Sequence, residues 1–181
     1  TGTFLGAMLA AGALILYRRQ RASRLPSAPI LGLMVLFVGL WGFDGLNSYL
    51  TFFPGAPHLY EPRNWLRMAT GMLNGLALLT LVWPIFNFTL WREPKQVAVL
   101  DHAWQLLAIL PVAGLLVLIV NLGFGALLYP LAILSSGGVL LMLTMINTMI
   151  AAVILGREGY ARTWPQALVP LTVGLAMAFL Q

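Results

Sequence analysis

Continuous apolar runs, separated by short polar gaps, organise this chain. A helix needs roughly 20 predominantly apolar residues to cross a bilayer. Runs that reach or approach that length occupy 2–17, 30–53, 65–91, 97–120, a stretch within 127–155, and 164–180. Pro84, Pro111, Pro130 and Pro170 fall inside them. The first and last runs are slightly short. The fifth is longer than a span needs, which predicts tilt or an irregularity near Pro130. Strands of a membrane barrel alternate apolar and polar residues, and these runs do not. A span surrounded by lipid must satisfy its own backbone hydrogen bonds, which points to helix. The expected fold is therefore all-α: one polytopic bundle of about six transmembrane helices over 1–181.

The gaps predict the threading. Arg18, Arg19, Arg21 and Arg24 follow the first run, Arg92 and Lys95 the third, and Arg157 and Arg162 the fifth. The even gaps hold only Arg63 and Arg67. The positive-inside rule puts the odd gaps in the cytoplasm. Both chain ends, the stretch 44–74 and the gap at 121–125 then face outward. Trp65, Trp91, Trp104 and Trp164 stand at predicted ends, where an amphipathic ring suits the headgroup level. Gly2, Gly6 and Ala10, and again Gly71 and Gly75, recur at four-residue steps that let helix backbones approach closely.

Composition agrees. The chain is 60% hydrophobic and 8% charged, with a mean hydropathy of +0.90, against about a quarter charged in soluble domains. The net charge of +5 lies in short gaps between apolar runs, so it predicts membrane anchoring and not nucleic-acid binding. The absence of cysteine removes disulfides and thiolate metal sites from this stretch. The chain opens on Thr1 without a methionine, so an upstream segment is expected. The run at 2–17 has no basic start and does not read as a signal peptide.

Chemistry concentrates in 44–74. Asp44 lies about nine residues, roughly 13 Å at ~1.5 Å per residue, before the predicted end of the second helix. A carboxylate there costs a few kcal/mol unless it is paired, protonated or hydrated. Asn47 shares its face. Arg67, Thr70, Gly71 and Asn74 make one face of the third helix. Arg67 is the expected partner of Asp44, since pairing relieves the burial of both. Arg63 and Asn64 are expected to cap that helix, and Glu61 with Pro62 to lead into it. A break near Gly42–Gly45 would instead leave Asp44 in a loop. The set predicts either a pinned hairpin or a small-anion or headgroup pocket.

His58 and His102 fall on opposite sides of the predicted bundle and cannot share a metal. Asp101 suits the positive end of the fourth helix. Thr144, Asn147 and Thr148 share a face of the fifth, where interhelical hydrogen bonds are expected. Pro84 and Asn87 predict a kink in the third. No phosphate-binding loop, zinc-protease motif, nucleophile elbow or dinucleotide fingerprint occurs. No cofactor is indicated.

Three segments carry a resemblance: TGTFLG at 1–6, DGLN at 44–47 and NWLRMATGMLNG at 64–75. Together they resemble the bacterial membrane proteins grouped as domain of unknown function 2085. That family's Glu-x-x-Asn-x-x-Arg-x-x-Thr-Gly pattern is matched by Glu61, Asn64, Arg67, Thr70 and Gly71. The amide after its Asp-Gly is usually Gln, where Asn47 stands here. Its Cys-x-Arg-Cys-Thr-Gly start and preceding His-rich turn would fall just before Thr1. The resemblance covers about half the chain and implies a site without implying a reaction.

Three functions are open at this stage. One is a non-catalytic accessory or structural subunit of a larger membrane complex, with other membrane proteins as partners. The second is a small transporter or binder of a polar solute, using Asp44, Asn47, Glu61, Asn64, Arg67, Thr70 and Asn74. The third is a thiol- or metal-linked membrane oxidoreductase that depends on upstream cysteines. All three are multi-pass proteins, expected in the bacterial inner membrane.

Overall fold

In a computed structural model of the chain, residues 1–53, 55–123 and 125–181 are described. Pro54, in the hairpin, and Phe124, in the gap at 121–125, lie outside them. The elements in order are α1 (Gly2–Leu16), β1 (Ala22–Arg24), α2 (Ala28–Leu50), α3 (Asn64–Leu90), β2 (Lys95–Ala98), α4 (Ala103–Asn121), α5 (Gly125–Ile154) and α6 (Trp164–Phe179). Each apolar run thus forms a helix. Helices α2, α3, α4 and α5 are long and apolar enough to cross a membrane. The apolar α1 and α6 have 15 and 16 residues, or roughly 22–24 Å against a hydrocarbon core of about 30 Å.

Helix α3 is the centre of the bundle. It packs against α1, α2, α4 and α5, while α6 lies on α5. Ala7, Ala10, Met72, Leu76 and Leu79 are buried in one core cluster of α1 and α3. Ile30, Met34 and Phe37 of α2 join Ala77, Val99 and Leu100 in a second. The outer faces stay apolar: Val35, Phe43 and Leu46 of α2 and Leu107, Leu115 and Leu118 of α4 are exposed. Helices apolar on every face need lipid or protein around them.

The α1–α3 seam is built as the small-residue spacing predicts. A Cβ on Gly6 would fall on the Met72 carbonyl, and one on Gly75 would collide with the Thr3 carbonyl and lie 2.8 Å from the Ala7 nitrogen. The two backbones therefore touch directly.

The fourth helix does not start at Val97. Residues 95–98 form β2, paired in parallel with β1 through Ala22↔Lys95 and Arg24↔Ala98. Two tertiary anchors outweigh the apolar pattern here. Val99 and Leu100 are buried in one cluster with Ala22 of β1, and Arg19 grips both oxygens of Asp101 at 2.7 Å. Asp101 thus serves an ion pair ahead of the helix and does not sit in its first turn. Gln105 Oε1 accepts from the backbone N–H groups of Asp101 and His102, at 3.0 and 3.1 Å, and starts α4 at Ala103. Arg92 N–H donates to Ala161 O, and Gly159 N–H to Thr89 O. The three basic gaps therefore meet at one end of the bundle, as their common charge predicts.

One further expectation is corrected, that of hydrogen bonds from Thr144, Asn147 and Thr148. Helix α5 continues through Pro130, as α3 does through Pro84. Asn87 is a tie between segments: its Nδ2 donates to Ala22 O at 2.9 Å, and its Oδ1 accepts from Trp91 Nε1 at 3.1 Å. The Thr144 hydroxyl, Asn147 Nδ2 and the Thr148 hydroxyl are buried without a hydrogen-bond partner among the described residues. Gly174 of α6 approaches Thr148 so closely that no donor or acceptor fits between them. An unpaired buried hydroxyl is a liability of about 1–3 kcal/mol, so the isosteric Thr148→Val is expected to stabilise the bundle by roughly 1 kcal/mol. Thermal unfolding in detergent reads this directly, and a lower midpoint would contradict it.

Candidate functional site

Helix α2 ends at Leu50 and does not break at Gly42 or Gly45. Asp44 thus sits about 9 Å below the helix end, at ~1.5 Å per residue. Asp44 and Asn47 are 3% and 4% exposed. Both point between α2 and the hairpin that follows.

The carboxyl of Asp44 is held by hydroxyls. Tyr60 Oη donates to its Oδ1 at 2.6 Å. Thr70 Oγ1 lies 3.3 Å from its Oδ2 but only 3.0 Å from the Leu66 carbonyl. A hydroxyl has one proton, so Tyr60 is the firm partner and Thr70 a shared one. Asn47 Nδ2 donates to Tyr60 O, and its Oδ1 accepts from Leu59 N–H, both at 2.8 Å. The side-chain amide thus acts as a peptide group and satisfies loop backbone that would otherwise be unpaired. Asp44 and Asn47, one turn apart, clamp the hairpin onto α2.

Arg67 does not pair with Asp44. Its Nε donates to Ser48 Oγ at 3.1 Å, and among the described residues no carboxylate lies within 4.0 Å of it. The antiparallel register explains this. Thr70 stands level with Asp44, so Arg67, one turn nearer the hairpin, stands level with Ser48. The expected ion pair is replaced by two neighbouring sets of bonds.

The other candidate residues separate. Thr70 and Asn74 are buried on α3. Glu61 is exposed at the rim, its Oε1 3.2 Å from His58 Nε2. Asn64 is the exposed first residue of α3, and Arg63 is its N-cap without a side-chain cap bond. Among the described residues, no three His, Asp or Glu side chains gather closely enough to hold a metal ion.

Between α2 and the start of α3 an open cleft of about 350 Å³ is lined by Trp41, Asp44, Ser48, Tyr49, Phe52 and Arg67. It offers one guanidinium whose terminal N–H groups have no partner among the described residues, a carboxyl edge and an aromatic wall. Such a site can hold a small anion through the guanidinium fork and seat an apolar portion on the rings. The sequence pattern does not single out Tyr60 or Ser48. Ser48 stands four residues after Asp44, within reach of helical spacing. Tyr60 lies in a loop, where no periodicity indicates the direction of a ring.

The hydrogen bond to Asp44, burial, and the Asp44 charge push the Tyr60 phenol from its ordinary 10.0 up to about 12. The fold holds the neutral phenol. Its contribution to hairpin stability is complete below pH 10 and is lost as pH rises through about 12. Alkaline titration of the phenolate absorbance is expected to show a step near pH 12 that Tyr60→Phe removes. A wild-type titration complete well below that pH would contradict the clamp.

A larger cleft, about 440 Å³, opens at the basic end beside Trp91, Arg92 and Glu158. It contains none of the hairpin chemistry. Trp91 itself is buried, 3% exposed, unlike the exposed Trp65, Trp104 and Trp164.

No curated protein and no solved structure matches this chain. The first 81 residues, which run from α1 to Leu81 of α3 and include every hairpin residue named above, match the family described as Predicted membrane protein (DUF2085).

Proposed function

We propose that this is a six-span protein of the bacterial inner membrane that binds the anionic group of a small polar solute in the cleft between α2 and α3. The basic end faces the cytoplasm, by the positive-inside rule. The hairpin and both chain ends then face outward. The observation that carries this reading is Arg67. Its guanidinium opens on the cleft, and among the described residues its side-chain partner is Ser48. The Asp44 carboxyl, which lines the same cleft, is already held by Tyr60. A cation in that position retains its capacity for a ligand.

The test is thermal stabilisation of the detergent-purified protein by inorganic phosphate, succinate and glycine. At least one is expected to raise the unfolding midpoint, and Arg67→Gln to remove that effect while folding normally. Equal behaviour of wild type and variant toward all three would count against the cleft.

A second reading is a non-catalytic accessory or structural subunit. It is supported by Asp44 and Asn47, whose polar atoms are used to fasten the hairpin. It predicts other membrane proteins in constant ratio after gentle detergent extraction.

A further inference from the structure

We propose a second site, at the basic end, that takes the phosphate of an anionic phospholipid headgroup between Arg21 and Arg162. It lies at the opposite end of the bundle from the Arg67 cleft and does not depend on it. The cleft measures about 220 Å³ and is lined by Arg21, Trp91, Glu93, Ala161 and Arg162.

Three features build it. The Arg21 guanidinium lies 4.1 Å from the centroid of the Trp91 ring. Trp91 is fixed in turn by its hydrogen bond to Asn87 and by an edge-to-face contact with Trp164, centroids 4.8 Å apart. A guanidinium stacked on a fixed ring keeps its edge N–H groups free and pre-oriented. Second, the backbone around the cleft is pinned. Trp91 bridges to Ala161, Lys95 N–H donates to Arg21 O, and Arg162 N–H donates to Gln166 Oε1. Residues from three separate gaps are thus held around one opening. Third, neither Arg21 nor Arg162 has a carboxylate within 4.0 Å among the described residues, although Glu93 lines the same cleft. Arg19, by contrast, is neutralised by Asp101. Two cations facing one opening, neither in contact with the Glu93 carboxylate, call for an anion, and a phosphodiester accepts from both guanidinium forks.

The lipid origin is argued from place. The cleft lies at the helix ends, next to exposed Trp164 and Tyr160, where headgroups and aromatic side chains coincide. A free phosphate would satisfy the same forks, so the experiment separates the two.

Native mass spectrometry on the full chain, released from detergent, would count bound phosphatidylglycerol against phosphatidylcholine. Phosphatidylglycerol is expected to be retained preferentially. Arg21→Gln/Arg162→Gln should weaken it at least about tenfold more than Arg24→Gln/Arg157→Gln, which removes equal charge from the same end without touching the cleft. Glu93→Gln should tighten it severalfold. Arg21→Lys, which keeps the charge and loses the planar stack, should fall between wild type and the double variant. Competition with millimolar inorganic phosphate identifies the source: no displacement supports a lipid, and full displacement overturns it in favour of free phosphate. Equal loss in the two double variants would mean diffuse attraction and would overturn the site, as would indifference between the two lipids. A site variant that fails to fold is replaced in the comparison by Glu93→Gln, whose predicted gain cannot arise from misfolding.

Discussion

Gly75→Leu is expected to yield no monodisperse folded protein. A Cβ alone at that position collides with the Thr3 carbonyl and approaches the Thr3 carbon to 2.7 Å, and these are backbone atoms that no rotamer change can move. Overpacking a core costs about 1–3 kcal/mol when side chains can yield, and here the two helices must separate. Even Gly75→Ala should lower the unfolding midpoint clearly, and Gly6→Ala should do the same from the facing helix. Because the two glycines share one seam, the double variant should cost less than the sum of the singles. Gly12→Ala is the control, since nothing lies within 4 Å of its Cβ and alanine favours helix by up to about 1 kcal/mol. Size-exclusion profiles and thermal melts in one detergent decide it. A Gly75→Ala protein as stable as wild type would mean that the seam is not packed this way.

Asp44→Ala carries the second large effect. It leaves the Tyr60 hydroxyl without its acceptor and releases the hairpin from one of its two clamps. Hydrogen bonds to a charged group contribute about 1.5–3 kcal/mol, so a loss of roughly 2–3 kcal/mol is expected. Asp44→Asn keeps an acceptor for Tyr60 and should cost less, and Tyr60→Phe should lie between. The double variant Asp44→Ala/Tyr60→Phe should be little worse than Asp44→Ala alone, because both changes remove the same bond. Limited proteolysis within 51–63 gives an independent reading: cleavage should accelerate in Asp44→Ala and stay slow in Arg67→Gln. Equal protection of wild type and Asp44→Ala would remove the clamp.

These two sites also show what the sequence makes legible. The Gly2, Gly6, Gly71 and Gly75 steps encode a close approach of backbones, and four-residue periodicity carries that information directly. The burial of Asp44 and its shared face with Asn47 follow from helical spacing alone. The partner of Asp44 does not. Charge points to Arg67, whereas the contact depends on register between α2 and α3, and register is set by how the hairpin folds back. Tyr60 closes that hairpin from a loop without periodic signal. The strand at 95–98 escapes for a related reason. An apolar run such as Val97-Ala98-Val99-Leu100 fits the start of a helix, and only the distant Ala22 and Arg24 hold part of it extended. Trp91 looks like a surface ring by position and is buried because Arg21 and Trp164 arrive from other gaps.

The α1–α3 seam has a consequence for biogenesis. Helix α1 finds its most intimate neighbour in α3, roughly sixty residues behind it, a wait of several seconds at about 5–20 residues per second. During that interval the glycine face of α1 has no mate. A chain stalled after α2 should therefore leave α1 open to capture by the insertion machinery, and release should coincide with emergence of Met72 and Gly75.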